Sequence, residues 1–141
     1  MAFVTATVTQ SVSMSGASFS SVSTTVTGTT SSVVEQTLAS VGSGGTGTGG
    51  AAVDCGVLYT AGDLQLLYLL SDAADMDVIF TGTGGTPHTE VLKAGVAKIY
   101  NIGGGTADPT ASATGTVEMT LRNNGSQAVN TDFHARMIYS S

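Results

Sequence analysis

The chain is short of the residues from which most active sites are built. Of its 141 side chains, only ten are acidic and four are basic, and there are two His, one Cys and no Trp. Recognition of nucleic acids depends on clustered Lys and Arg that neutralise phosphates. Four scattered cations and a net charge of −6 therefore argue against nucleic acid as a partner. The same shortage argues against binding to an anionic membrane surface.

The single cysteine, Cys55, excludes an internal disulfide and is predicted to be a small buried hydrophobe. The first ten residues lack the basic and continuously apolar regions of a secretory signal. The longest strongly apolar run, residues 64–70, is too short to cross a bilayer as a helix, which needs about 20 residues. These features predict folding in a cytosolic compartment and no membrane partner.

Most residues of the sequence are types that favour strands and turns. Residues 4–9 alternate strictly between apolar and hydroxyl side chains, residues 116–122 place Val, Met and Leu on one side, and residues 131–139 place Phe133, Ala135, Met137 and Tyr139 on one side. Period two is typical of a strand with one buried face. An Asn-Asn-Gly-Ser turn at 123–126 joins the last two strands as a hairpin signal. Nine or ten strands with Gly-rich turns predict an all-β fold, an antiparallel β-sandwich.

The strongest element is the leucine-rich run at 64–70. We expect a central strand covered on both faces or an extended interface strand, and a short helix is the competing interpretation because Leu also favours helix. A strand at 76–81 is expected to end in a turn at 82–87, where three Gly and a Pro occur.

The chain is expected to form one domain with three parts. Residues 1–42 are N-terminal strands or an extended arm, 43–50 are a Gly-rich loop, and 51–141 are the main body of the sandwich. The first charged side chain is Glu35, so the N-terminal part is neutral and rich in Ser and Thr. Such an arm would pair its strands with a neighbouring subunit, as edge strands do.

The chemically capable residues form no recognised catalytic motif. Asp72, Asp75 and Asp77 are weak candidates for a cation site, but their spacing does not match a calcium loop and favours a solvated acidic turn. His88 and His134 lack metal-ligand spacing and are predicted to be surface or hydrogen-bonded residues. No G-x-S-x-G or phosphate-binding loop is present. The sequence therefore predicts neither an enzyme nor a cofactor.

Charged residues make up 10% of the chain, whereas a soluble monomer usually has about 25–35% on its surface. This shortage predicts that much of the surface is buried in an assembly.

Several segments together resemble a group of small structural proteins of tailed phages. They are residues 64–72 (LQLLYLLSD), 77–81 (DVIFT), 91–95 (VLKAG) and 117–125 (VEMTLRNNG), followed by the strand at 133–139. The resemblance implies a jelly-roll-like sandwich in a virion, and we expect a capsid decoration or cement protein bound to the major capsid protein as a homo-oligomer, with a trimer as our guess. The alternative is a neck, tail or fibre component, including a receptor-binding module.

On this interpretation, the capsid surface is the expected location and the contacts come from the first strand and the leucine-rich strand. The expected interface residues are Phe3, Val4, Ala6, Val8, Leu64, Leu66 and Tyr68.

Overall fold

The structure is a computed structural model that describes residues 3–11, 13–18, 21–38, 53–123 and 130–140. The regular secondary structure of these ranges consists of β-strands alone, which confirms the predicted fold class. None of the described residues form a helix long and apolar enough to span a membrane. The strands are β1 (Val4–Gln10), β2 (Ser13–Met14), β3 (Ala17–Ser18), β4 (Val22–Gly28), β5 (Thr30–Leu38), β6 (Val53–Thr60), β7 (Leu64–Ser71), β8 (Met76–Gly85), β9 (His88–Leu92), β10 (Lys98–Asn101), β11 (Ala113–Asn123) and β12 (Thr131–Tyr139).

Two four-stranded antiparallel sheets form a β-sandwich. The first sheet has the order β10-β7-β12-β5, and the second has the order β6-β11-β8-β9. From β5 onward the chain changes sheet at every connection except the one between β8 and β9. This is the order of a jelly roll, in which two Greek keys wrap two sheets around one core.

The core lies between the two sheets and follows the period-two patterns of the sequence. Along β11 and β12, alternate apolar residues point inward and the residues between them point outward, as predicted. Both Phe residues of the core, Phe80 and Phe133, are fully buried. The other fully buried large side chains are Leu64, Leu67, Leu69, Met76, Leu92, Met119, Leu121, Met137, Val78 and Val117. Burial of apolar area stabilises a fold by about 25 cal/mol per Å², so this layer is the main stabilising element.

The leucine-rich run forms β7, which confirms the predicted central strand and shows that the helical alternative is wrong. β7 lies between β10 and β12 in the first sheet. Leu67 and Leu69 point into the core, whereas Leu66 points to the opposite face and is also buried. Both faces of the strand are covered at this point, which explains why its hydrophobic pattern is nearly continuous.

The predicted turn at 82–87 is shorter in the structure, because β8 continues through its glycines to Gly85 and only residues 86–87 connect it to β9. A Cβ atom at Gly82 would lie 2.4 Å from the carbonyl oxygen of Thr114, and one at Gly85 would lie 2.2 Å from that of Ser112. Ser112 immediately precedes β11, and Thr114 is its second residue. β11 pairs with β8, with a register shift between Thr114 and Val117. The glycines here permit close contact between two strands, a role that a local turn signal cannot reveal.

The N-terminal part has two structural roles. β5 is an edge strand of the first sheet, in register with β12 from Thr30↔Tyr139 to Leu38↔Thr131. β1 and β4 form a separate antiparallel pair, which we call the ribbon. The ribbon packs on the outer face of the first sheet. The Gly-rich loop at 43–50 and residues 124–126 of the predicted Asn-Gly turn lie outside the described residues.

Candidate functional site

The outward face of the ribbon is a regular array of hydroxyl groups. Three cross-strand pairs, which are Thr5 with Thr27, Thr7 with Thr25, and Thr9 with Ser23, all have exposed side chains. In the last pair, Thr9 Oγ1 and Ser23 Oγ are 2.9 Å apart and hydrogen-bonded. We call these six residues the hydroxyl face. Its position confirms that the exposed side of the N-terminal strands carries Ser and Thr rather than charge.

The inward face of the ribbon is apolar and rests on the first sheet. Val26 of β4 is buried against Leu66 of β7 and Ile138 of β12. Val4, Ala6 and Val8 of β1 pack against the same cluster and are partly buried. This small second core fixes the hydroxyl face to the sandwich.

The point where the ribbon leaves the sandwich is also fixed. The backbone N–H of Thr29 donates to the carbonyl oxygen of Tyr139 at 2.7 Å. A Cβ atom at Gly28 would lie 2.3 Å from the same oxygen and 2.4 Å from Cγ2 of Ile138. Only glycine permits the chain to pass this close to β12. The end of the ribbon at Gly28 is therefore held against the first sheet.

The predicted interface residues occupy different environments. Phe3 is 67% exposed at the start of the ribbon, whereas Val4, Ala6 and Val8 are on its inward face. Leu64 is a core residue at 1% exposure, and Leu66 lies beneath the ribbon at 5%. Neither leucine is available to a partner in this structure. Tyr68 is partly exposed on the outer face of β7.

The three aspartates proposed as weak cation ligands have separate partners. Asp72 accepts a hydrogen bond from the backbone N–H of Asp132 at 2.8 Å, Asp75 pairs with Lys93 at 2.6 Å, and Asp77 pairs with Arg122 at 3.2 Å. The pKa of Asp72 is lowered, chiefly by its bond from the Asp132 N–H, and the pKa of Asp75 is lowered by Lys93. Among the described residues, no three His, Cys, Asp or Glu side chains are placed to bind one metal ion.

A buried hydroxyl organises the turn that contains Asp72. Thr131, which is 1% exposed, accepts hydrogen bonds at Oγ1 from the backbone N–H groups of Ala73 and Ala74 at 3.1 and 3.2 Å. The same oxygen lies 2.9 Å from Ser71 Oγ and 3.1 Å from Asp72 Oδ1. The first residue of β12 thus holds the turn between β7 and β8 in place. This acidic turn has a structural explanation that requires no cation.

His88 takes part in the most buried ionic cluster of the described residues. Glu90, which is 6% exposed, contacts His88 Nε2 at 2.6 Å and accepts hydrogen bonds from Lys98 Nζ at 2.7 Å and the Tyr100 hydroxyl at 2.8 Å. Burial raises the pKa of Glu90, but these three hydrogen bonds outweigh it and the net pKa is lowered. Burial, together with Glu90, raises the pKa of Tyr100 to about 12. Because β9 and β10 are edge strands of opposite sheets, the cluster ties the two sheets together at one side.

His134 lies in an exposed cluster on the outer face of the first sheet. His134 and Arg136, both on β12, contact the two carboxylate oxygens of Glu35 on β5. The hydrogen bond from Arg136 is the main reason why the pKa of Glu35 is lowered. Ion pairs as exposed as these add little to stability, so this cluster matters more for the neutrality of the face.

Cys55 is partly buried on β6, and burial raises the pKa of its thiol. A raised pKa disfavours the thiolate that a nucleophile or metal ligand requires. The predicted role as a small hydrophobe agrees with its packing against the main core.

Two features escaped sequence reasoning. The partners of Glu90 in its cluster lie two to ten positions away in the sequence. His, Glu, Lys and Tyr are also common in polar loops, so no local signal shows that this carboxylate is buried. A groove of about 360 Å³ lies between β1 and the outer face of the first sheet, where Val8, Tyr68 and Ile99 meet. Its residues come from four strands that are distant in the sequence, β1, β7, β10 and β12, so no local pattern marks it.

Comparison of the chain with protein-family models, with curated proteins and with solved structures finds no match in any of the three. The surface chemistry of the ribbon and the strand pattern of the sequence are therefore the grounds for a functional proposal.

Proposed function

We propose that this protein is a non-enzymatic virion component, a decoration or cement protein that binds the major capsid protein on the surface of a phage head. The observation that supports this most strongly is the hydroxyl face, a two-stranded surface without a charged side chain, held on a jelly-roll sandwich. The buried parts of protein interfaces are depleted in charged residues. A neutral face on a chain of net charge −6 is therefore suited to burial against another protein.

In the proposed mechanism, many copies of the protein each make a weak contact with a capsid subunit. A hydroxyl face of six residues offers a small area to any one capsid subunit, and the affinity of one contact is correspondingly limited. Multivalent arrangement multiplies such contacts without new chemistry, because each further binding event occurs at a high effective concentration. A homo-oligomer of this chain on the shell, for which a trimer is our proposal, would stabilise the head in this way.

The copy number of the protein in purified virions tests the location. Quantitative mass spectrometry should give hundreds of copies per particle, in fixed ratio to the major capsid protein. About a dozen copies would instead favour the neck, tail or fibre, and absence from particles would refute the virion role.

A charge pair introduced into the hydroxyl face tests the surface itself. In the variant Thr7→Lys/Thr25→Glu, the two residues face each other across the ribbon, so the pair supports the fold and leaves the net charge unchanged. Burying it against a partner costs desolvation free energy. We expect occupancy on stripped particles to fall at least tenfold, measured by sedimentation.

The matched control is Thr116→Lys/Thr60→Glu. Thr116 and Thr60 are also exposed and face each other, but on the second sheet. This variant should bind particles normally. If both variants bind equally, the hydroxyl face is not the contact surface.

A further inference from the structure

The outer edge of β1 is ready to accept another strand. β1 pairs with β4 from Val4↔Gly28 to Gln10↔Val22 without a register shift, and among the described residues no strand pairs with its other edge. Such an edge presents unpaired N–H and C=O groups. Edges are normally protected by charge, proline or bulges. β1 has none of these, whereas the edge strands β5, β9 and β10 each carry charged side chains.

The groove beside this edge has an apolar floor. Strand register places Ile99, Tyr68, Arg136 and Val33 in one row across the outer face of the first sheet. Ile99 is 44% exposed and Val33 is 62% exposed. The Arg136 guanidinium already donates to Glu35, so the row presents no uncompensated charge.

The position of this row suits one additional strand. The ribbon covers the preceding outward row, which contains Leu66 and Ile138, and the next row begins two residues further along each strand. Tyr68, Ile99 and Arg136 of that next row line the groove together with Val8 of β1. Because paired strands lie about 4.8 Å apart, a strand paired with the free edge of β1 would lie over Tyr68 and Ile99.

We propose that an extended, uncharged strand of a partner protein adds to the free edge of β1 and fills this groove. Backbone hydrogen bonds to β1 supply affinity, and alternate side chains entering the groove supply specificity. Those inward side chains are small and apolar, because a charge there would lose water, and the guanidinium of Arg136 in the groove is already paired with Glu35. The next residues along the strand are hydroxyl or other neutral types, which continue the hydroxyl face.

A second copy of this chain is a poor occupant. If two β1 strands paired about a two-fold axis, both sandwiches would lie on the same side of the combined sheet. The first sandwich already extends beneath the position of the added strand, since the groove floor belongs to it. The occupant is thus a terminal or looped segment that projects away from its own domain. This inference rests on the proposed function, because the protein that supplies the segment would be the binding partner on the phage head.

A peptide tests the groove without particles. The probe is an acetylated and amidated peptide with the sequence of residues 3–10, which is uncharged and alternates in the required way. We expect saturable binding by fluorescence anisotropy and slower hydrogen–deuterium exchange at residues 4–10 of the protein. The variant Ile99→Lys should weaken binding at least tenfold. Val91→Lys is the matched control, because Val91 is 43% exposed on an edge strand of the other sheet, and it should bind normally.

Several results would overturn the inference. Faster exchange at residues 4–10 would mean that the peptide displaces β1 rather than adding to it. Equal binding of a peptide with Glu in place of Ala6 would remove the argument from charge, and a dimer that protects the same residues would make a second copy the occupant. On particles, normal occupancy of Ile99→Lys with loss for Thr7→Lys/Thr25→Glu would refute the groove contact and leave the virion role standing. Absence of the protein from virions would refute that role and leave the peptide result intact.

Discussion

Replacing Glu90 with Ala is expected to lower the free energy of unfolding by about 2–3 kcal/mol, because its partners are only partly buried. The substitution removes the shared acceptor of Lys98 and Tyr100 and the partner of His88. Donors that lose a buried acceptor keep their desolvation cost and lose its compensation. The loss also separates β9 from β10 at the side of the sandwich where two sheet edges meet. Chemical denaturation monitored by tyrosine fluorescence measures the change.

The conservative variant Glu90→Gln tests how much of the loss is due to the negative charge rather than to the side-chain volume. Gln retains the side-chain volume and one acceptor oxygen but not the negative charge, so we expect a smaller loss of about 1–2 kcal/mol. A result in which Glu90→Ala and Glu90→Gln are both neutral would show that the cluster does not join the sheets.

The pH dependence of Glu90 follows from its lowered pKa. In the unfolded chain the carboxyl protonates near its ordinary value of 4.5, and in the folded protein it protonates at lower pH. Between those values the unfolded state binds more protons, so stability rises with pH. The contribution of Glu90 is complete above the ordinary pKa and is lost as the pH falls through the folded value. The stability difference between the native chain and Glu90→Gln should therefore shrink on acidification, whereas a constant difference would contradict the assignment.

Much of the sandwich could be predicted because its pattern is local. The run at 131–139 places Phe133, Ala135, Met137 and Tyr139 on one side, and all four are buried. Alternation of this kind depends only on the geometry of a single strand. The leucine-rich strand was identifiable for the same reason, since a strand covered on both faces must be apolar on both.

The remaining features depend on which strands become neighbours. The glycines of β8 resemble a turn until Thr114 and Ser112 are known to lie against them. The groove is similarly hidden, because Val8, Tyr68 and Ile99 meet only after the ribbon folds over the first sheet. Contacts between residues tens of positions apart leave no local signal in one sequence. The neutrality of the hydroxyl face, by contrast, is visible from composition, because no charged side chain precedes Glu35 in the sequence.

Replacing Thr131 with Val is expected to cost about 3 kcal/mol although almost no side-chain volume changes. Valine fills the same space and favours a strand, so neither a cavity nor a propensity change contributes. The loss arises because the N–H groups of Ala73 and Ala74 no longer have the acceptor that Thr131 Oγ1 provides. Thr89→Val, at an exposed position of β9, is the matched control and should change stability by less than about 0.5 kcal/mol. Equal denaturation midpoints for the two variants would show that solvent satisfies the turn and that its buried hydroxyl is dispensable.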